Sequence, residues 1–218
     1  MIETIDLIHQ FIQLACTGAV TILAARYAIA RRGDWFFQLL AGAFGCYFLG
    51  DLFYTLHMLI TGGYPAGFSA DDLSYVSSYC FLLSIGLGLT GEWTDAQKED
   101  AKKYRRVSLT GPVIVVLLHA AYAYMAGNLL YNALTCVPLA FLSYYTLLLF
   151  LSAGEGYGPR PSLRRYHGTV LLYLFAECMM FLTSSFGSYE AFMVFDVLMS
   201  VTVLLMLRAA GKEAAHDL

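Results

Sequence analysis

All 13 lysine and arginine residues of this chain fall into four clusters, which are separated by long apolar runs. The clusters lie at 26-32, 98-106, 160-165 and 208-212. A hydrocarbon core of about 30 Å needs roughly 20 apolar residues per crossing, and each interval between clusters is long enough for the chain to cross and return. With 59% hydrophobic and 13% charged residues, the chain has too little polar surface for a soluble domain of 218 residues. The pattern predicts a polytopic membrane protein.

The lengths of the apolar runs predict an all-α fold, a polytopic membrane helix bundle of about seven transmembrane helices, in a single transmembrane domain over 1-218. The predicted spans are approximately 7-29, 36-61, 72-91, 107-126, 129-152, 168-186 and 190-209. Because basic loops are retained in the cytoplasm, the clusters put the N-terminus outside and the C-terminus inside. We expect a bacterial plasma (inner) membrane, with the lipid bilayer as a partner and no nucleic-acid partner.

The first three and the last three predicted spans run in the same directions, and each triplet carries an acid halfway along its middle helix. Asp51 precedes Asp72 by 21 residues, and Glu177 precedes Asp196 by 19. The similar spacing favours a three-plus-one-plus-three arrangement with a parallel pseudo-repeat, as in some transporter folds.

Three carboxylic acids, Asp51, Glu177 and Asp196, lie inside predicted spans. Because burial of an ionised carboxylate costs several kcal/mol, each must be protonated, solvated by a cavity or bound to a ligand. An intramembrane acid is therefore a candidate for function. A neutral carboxylic acid that donates a hydrogen bond to a neighbouring helix is the structural alternative.

The polar groups of the spans share the outer half of the bilayer. Counted from the outer helix ends at about 1.5 Å per residue, two histidines and the three acids lie ~6 to ~15 Å deep, whereas the inner half is mainly apolar. Helical phase adds two tyrosines to the faces of the acids. We therefore predict a small-molecule pocket that is open to the outer side and closed toward the cytoplasm. Its predicted ligand-binding residues are Asp51, Tyr54, His57, His119, Tyr173, Glu177 and Asp196.

Metal or haem ligation by His57 and His119 is a second interpretation of the two histidines, which lie at comparable depth on different spans. The chain has no HxxxH or HExxH pair, and its five cysteines form neither a CxxC pair nor a metal-ligand spacing. A GxSxG nucleophile motif is also lacking. We therefore predict no metal, no cofactor and no catalytic residue.

The segment Leu49–Leu83 contains Gly50-Asp51, Tyr54, Pro65, Ser69-Ala70-Asp71 and Tyr75. In these residues the chain resembles the membrane sensor modules that precede diguanylate cyclase and histidine kinase output domains in bacterial signalling proteins. The resemblance implies a seven-span sensing fold and a cytoplasmic output domain or partner protein that receives the signal. A local explanation stands beside it, since Ser69 is a natural N-cap and Asp71 and Asp72 complement the dipole of the helix that follows.

We predict a membrane sensor or receptor module that binds a small ligand in the outer pocket and relays binding through the C-terminal helix. Residues 209-218 have a helix-forming composition and are expected to continue the last span into the cytosol. This function requires no enzymatic activity.

Two alternatives remain open. One is a small proton- or cation-coupled secondary transporter, in which the three acids are ion sites. The other is a lipid-modifying membrane enzyme, in which Asp51, His57 and His119 supply acid-base chemistry. A retinal-type photoreceptor is disfavoured because the seventh predicted span has no lysine to form a Schiff base.

Overall fold

The computed structural model describes residues 4-65, 67-126, 129-154 and 160-216. Within these ranges the protein is all-α, and no β-strand occurs among them. A short 3-10 turn, Pro161–Leu163, leads into the eighth helix. The helices are α1 (Thr4–Ala30), α2 (Trp35–Thr61), α3 (Ala70–Gly91), α4 (Asp95–Asp100), α5 (Lys102–Ser108), α6 (Thr110–Ala126), α7 (Leu129–Gly154), α8 (Arg164–Ser185) and α9 (Tyr189–His216).

In the described part of the chain, seven helical segments are long and apolar enough to cross a membrane. The shortest has 22 residues, which is sufficient for a hydrocarbon core that needs roughly 20. The prediction of an all-α protein with seven such helices is confirmed, and the chain has the architecture of a multi-pass membrane protein. The orientation of the termini and the pseudo-repeat stay predictions. The segments are Asp6–Ala30, Trp35–Thr61, Ala70–Gly91, Lys102–Met125, Leu129–Ala153, Arg164–Ser185 and Glu190–Lys212.

The chain divides into two compact units, Met1–Leu82 and Leu83–Leu218. In the first unit α1 packs against α2, and the ring of Phe81 lies against Gly42, where an added Cβ atom would come within 2.9 Å of its Cε1 atom. In the second unit α8 packs against α7 and α9, and α6 packs against α7 and α8. The expectation of one domain over 1-218 stays a prediction.

In the region of the fourth predicted span, 107-126, the helical segment starts earlier than predicted and is interrupted once. Helix α5 begins at Lys102, and a turn at Leu109 separates it from α6. Pro112 explains the interruption, because it has no N–H group to donate to the carbonyl of Ser108 four residues earlier. The turn tightens instead, and the Leu109 N–H donates to the carbonyl of Arg106 at 3.3 Å.

The last helix is longer than its predicted span, 190-209. Helix α9 continues to His216, which confirms the expected helical extension as far as that residue. Residues 217-218 lie outside the described part of the chain. So do residues 127-128 of the predicted outer loop and residues 155-159 of the predicted inner loop.

Ser69 lies at the predicted N-cap position of α3 and is bonded to both first-turn acids. Ser69 precedes the first helical residue, and its backbone N–H donates to Asp72 Oδ2 at 2.9 Å. The Ser69 hydroxyl donates to Asp71 Oδ1 or to Asp72 Oδ2. Both acids therefore have a local structural role in the first turn of α3.

Candidate functional site

In the first unit, polar side chains from two helices converge on Asp51 of α2, whose exposed fraction is 0%. Thr17 Oγ1 donates to Asp51 Oδ2 at 2.9 Å, and Tyr75 OH donates to Asp51 Oδ1 at 2.8 Å. Gln13 Nε2 lies 3.4 Å from Asp51 Oδ1. We call these four residues the Asp51 cluster. Since a carboxylate only accepts hydrogen bonds, three converging donors suit its ionised form.

Helix α1 contributes two residues of the cluster from a single face. Gln13 and Thr17 are four residues apart, so they lie one above the other, and both are buried. The Thr17 hydroxyl also lies 3.1 Å from the carbonyl oxygen of Gln13. Because a hydroxyl has one hydrogen, Thr17 donates either to Asp51 or to its own helix.

Helix α3 reaches the carboxylate because α2 has a glycine at the point of contact. A Cβ atom at Gly50 would lie 2.7 Å from Tyr75 Cε1, a separation at which the ring would have to move. The ring of Tyr47 also packs against Tyr75, with centroids 5.3 Å apart. Gly50 therefore makes the hydrogen bond between Tyr75 and Asp51 sterically available.

Two further predicted residues belong to the first unit. Tyr54 is half-buried, and its ring centroid lies 6.3 Å from that of Tyr64. His57 is also half-buried, with its ring 6.1 Å from that of Phe53. Both side chains thus have aromatic neighbours near the carboxyl end of α2.

In the second unit, three rings from two helices gather around Phe181 of α8. The centroid of Phe181 lies 5.7 Å from His119 and 5.5 Å from Tyr122, both of α6, and 5.7 Å from Tyr131 of α7. The rings are inclined to one another, which is a favourable arrangement for aromatic groups. We call these four residues the His119 cluster.

The imidazole of His119 has one nitrogen bonded and the other without a partner. Nδ1 lies 3.0 Å from the carbonyl oxygen of Val115; since a carbonyl only accepts, Nδ1 carries a hydrogen. In the neutral ring, Nε2 then carries a lone pair. This atom is buried, and it has no hydrogen-bond partner among the described residues. His119 is 4% exposed, so the lone pair is an acceptor held inside the protein.

The remaining predicted residues are buried in the same unit. Tyr173 and Glu177 are each 1% exposed, and their spacing of four residues continues to Phe181 along one face of α8. Asp196 of α9 is 4% exposed. Helix α8 therefore carries a carboxyl group one turn from the central ring of the His119 cluster.

The seven predicted site residues are divided between the two units. Asp51, Tyr54 and His57 belong to the first, whereas His119, Tyr173, Glu177 and Asp196 belong to the second. The common outer pocket stays a prediction.

Metal-ligating side chains are not assembled in the part of the chain that the structure describes. It contains no group of three or more histidine, cysteine, aspartate or glutamate side chains that could hold a metal ion. The five cysteines are free thiols.

Sequence reasoning missed Gln13 and Thr17 as partners of Asp51. Their only local signal is the four-residue spacing of two polar residues in an apolar helix. It also took Tyr75 only as part of a resemblance, whereas the structure gives this residue a hydrogen bond to the carboxylate. The aromatic neighbours of His119 come from helices distant in sequence, so no local pattern marks them.

Comparison with protein-family models, with characterised proteins and with solved structures gave no match.

Proposed function

We propose that this chain is a membrane sensor or receptor module that binds a small ligand at the His119 cluster. The observation that carries the proposal is the buried Nε2 atom of His119, which has no partner among the described residues. An unsatisfied buried acceptor costs about 1–3 kcal/mol, so its presence calls for an explanation. A ligand that donates a hydrogen bond to this atom supplies one.

The surroundings of Nε2 indicate the chemistry of the ligand. A lone pair accepts a hydrogen bond, so the ligand carries a hydroxyl, amide or amine hydrogen. The rings of Tyr122, Tyr131 and Phe181 favour an apolar or aromatic body. Since Phe181 occupies the centre of the ring cluster, its side chain moves when the ligand enters.

Helix α8 is suited to relay this movement. It carries Phe181 and packs against α9, which has 28 residues. A helix of this length is about 42 Å long, longer than the ~30 Å hydrocarbon core. A shift of α8 against α9 would therefore reach the membrane surface as a change between two populated states. A cytoplasmic output domain or a separate partner protein would receive it.

A relay of this kind requires the C-terminus to be cytoplasmic, and we propose an N-out, C-in orientation in a bacterial inner membrane. Single cysteines at Ser69 and Ser162, in a variant without the five native cysteines, test it by labelling with a membrane-impermeant maleimide. Ser69→Cys should react in intact cells and Ser162→Cys only after permeabilisation. Labelling of Ser162→Cys from outside would contradict the orientation.

The ligand-binding proposal is tested by native mass spectrometry of protein extracted with its own lipids. We expect the wild type to retain a small molecule that His119→Phe loses, because phenylalanine keeps the ring and removes the acceptor. His9→Phe, a matched change at a half-buried position of α1, should retain it. Retention of the same molecule by His119→Phe would contradict the site.

Hydrogen exchange tests the relay with the molecule so identified. Its addition should slow amide exchange in α8 and at the C-terminal end of the apolar segment of α9, around 205-212. Slower exchange confined to the residues around His119 would show binding without a relay and would contradict the sensor function.

The Asp51 cluster favours a second candidate, a small proton- or cation-coupled secondary transporter. In that case the identified molecule would accumulate in proteoliposomes against its gradient, and Asp51→Asn would abolish accumulation. Such a result would reject the sensor. Saturable binding without any uptake would reject the transporter.

A further inference from the structure

We infer that the Asp51 cluster binds a single monovalent hard cation, for which sodium is the test ion. The inference is separate from the proposed ligand site, because the cluster lies in the first unit and His119 in the second. It holds for a receptor and for a transporter alike. Oxygen atoms converge here from side chains of three helices, namely the carboxylate of Asp51 and the hydroxyls of Thr17 and Tyr75. The side-chain amide of Gln13 lies beside them and faces Asp51 with its nitrogen.

Gln13 provides the observation that points to an ion. Its side chain is 5% exposed, and its Oε1 atom is buried without a hydrogen-bond partner among the described residues. Its Nε2 atom faces Asp51 at 3.4 Å, a long separation. Rotation of the amide by half a turn exchanges the two atoms. The oxygen would then face the carboxylate, an arrangement that is repulsive unless a cation lies between them.

Thr17 has an alternative acceptor that frees its oxygen for the ion. Its hydroxyl lies within hydrogen-bonding distance of two carbonyls of its own helix, those of Gln13 at 3.1 Å and Leu14 at 3.3 Å. When the hydrogen turns to either carbonyl, the lone pairs of Oγ1 face Asp51 Oδ2, 2.9 Å away. Thr17 and Gln13 then present two neutral oxygen ligands from one face of α1, beside the charged oxygens of α2.

The charge of the cluster selects the class of ion. Carboxylate, amide and hydroxyl oxygens suit hard cations. The cluster has one carboxylate and otherwise neutral ligands, so a monovalent ion gives a neutral assembly. A divalent ion would leave a net positive charge in a fully buried place, which is unfavourable.

Thermal unfolding of the purified full-length protein tests the inference, with tryptophan fluorescence as the readout. The protein is heated in sodium chloride or in N-methyl-D-glucamine chloride of equal ionic strength, in mildly alkaline buffer that keeps protons from competing. The organic cation is too large for a buried cluster. We expect Tm to rise with sodium concentration and to saturate, since an ion that binds only the folded state stabilises it.

Variants assign the effect to the cluster. Thr17→Val removes one ligand oxygen at constant shape and should raise the apparent dissociation constant for sodium roughly tenfold. Thr17→Ser keeps the oxygen and should restore the response. Thr21→Val is the matched control, because the Thr21 hydroxyl donates to the carbonyl of Phe44 at 2.9 Å, one turn further along α1. It should respond to sodium like the wild type, whereas Asp51→Asn should not respond.

Three results would overturn the inference. The first is an equal Tm of the wild-type protein in sodium chloride and in N-methyl-D-glucamine chloride. If Tm then depends on pH but not on sodium, the cluster binds a proton and not a metal ion. The second is a sodium response that survives in Asp51→Asn. The third applies if Asp51→Asn does not fold. In that case, an apparent dissociation constant for sodium that is the same in Thr17→Val and in the wild type would contradict the site.

Discussion

The two clusters of this protein differ in how their buried polar residue, Asp51 or His119, is hydrogen-bonded. Asp51 receives hydrogen bonds from residues of α1 and α3, at distances from 2.8 to 3.4 Å. His119 has one contact to its own helix, at 3.0 Å to Val115, and a second nitrogen without a partner among the described residues. The first arrangement joins α2 to α1 and α3, whereas the second leaves one buried nitrogen unbonded among the described residues.

Burial alone therefore does not show how a polar side chain contributes to stability in this chain. Asp51 and His119 are 0% and 4% exposed, so burial does not separate them. The number and origin of their hydrogen bonds do. A hydrogen bond between helices contributes to stability, and a buried polar atom left unsatisfied lowers it.

The largest expected effect comes from replacing Asp51 or His119 by leucine. Asp51→Leu leaves the donors of Tyr75 and Gln13 without their acceptor and should lower the free energy of unfolding by roughly 3 kcal/mol or more. His119→Leu removes an unsatisfied atom and should leave stability equal or raise it by about 1 kcal/mol. Chemical unfolding in detergent micelles measures both. Similar losses in the two variants would erase the distinction between the clusters.

The next effect tests the approach of α3 to the Asp51 cluster. Gly50→Ala puts a methyl group 2.7 Å from the ring of Tyr75 and should destabilise the protein by about 1–3 kcal/mol. The control is Gly45→Ala on the same helix, where the nearest atom, Thr21 Cγ2, is 4.0 Å away. Alanine there should be neutral or stabilising by about 0.5–1 kcal/mol. Equal Tm values for the two variants would mean that the close approach of Tyr75 to Gly50 is not required for stability.

A smaller effect isolates one hydrogen bond of the cluster. Tyr75→Phe removes the donor that lies 2.8 Å from Asp51 Oδ1 and should lower stability by about 1 kcal/mol. Tyr124→Phe is the control, since Tyr124 is 93% exposed and its hydroxyl should contribute nothing measurable. An equal loss of stability in both variants would mean that the effect does not come from the hydrogen bond between Tyr75 and Asp51. The difference in Tm between the two variants is the quantity to measure.

The smallest effect separates bonds between helices from bonds within one. The Thr55 hydroxyl donates to the backbone carbonyl of Asp51 at 2.7 Å, within α2. Such back-bonding contributes little, so Thr55→Val should change the unfolding free energy by less than about 0.5 kcal/mol. Thr17→Val, which removes a bond between helices, should lower it by about 1 kcal/mol. The reverse order would show that α2 depends on its internal hydroxyl bonds.

The candidate residues could be predicted from the sequence more readily than their partners. Asp51 and Glu177 are conspicuous because carboxyl groups are rare in apolar spans. Gln13 and Thr17 are not, since neutral polar residues are tolerated there. Their role depends on the rotation of α1 about its axis and on its contact with α2. Neither follows from helical periodicity when the lipid-facing surface is as apolar as the packed one.

The amino-acid sequence by itself determined the number of long apolar helices and most of their limits, because hydrophobic length and backbone hydrogen bonds within a helix are local properties. It also determined where α3 begins, through the cap at Ser69. Only the tertiary structure decided that Tyr75 reaches Asp51 across Gly50 and that one nitrogen of His119 lies among aromatic rings with no hydrogen-bond partner in the described part of the chain. Those facts depend on which helix faces meet, and side-chain packing between segments distant in sequence selects the faces.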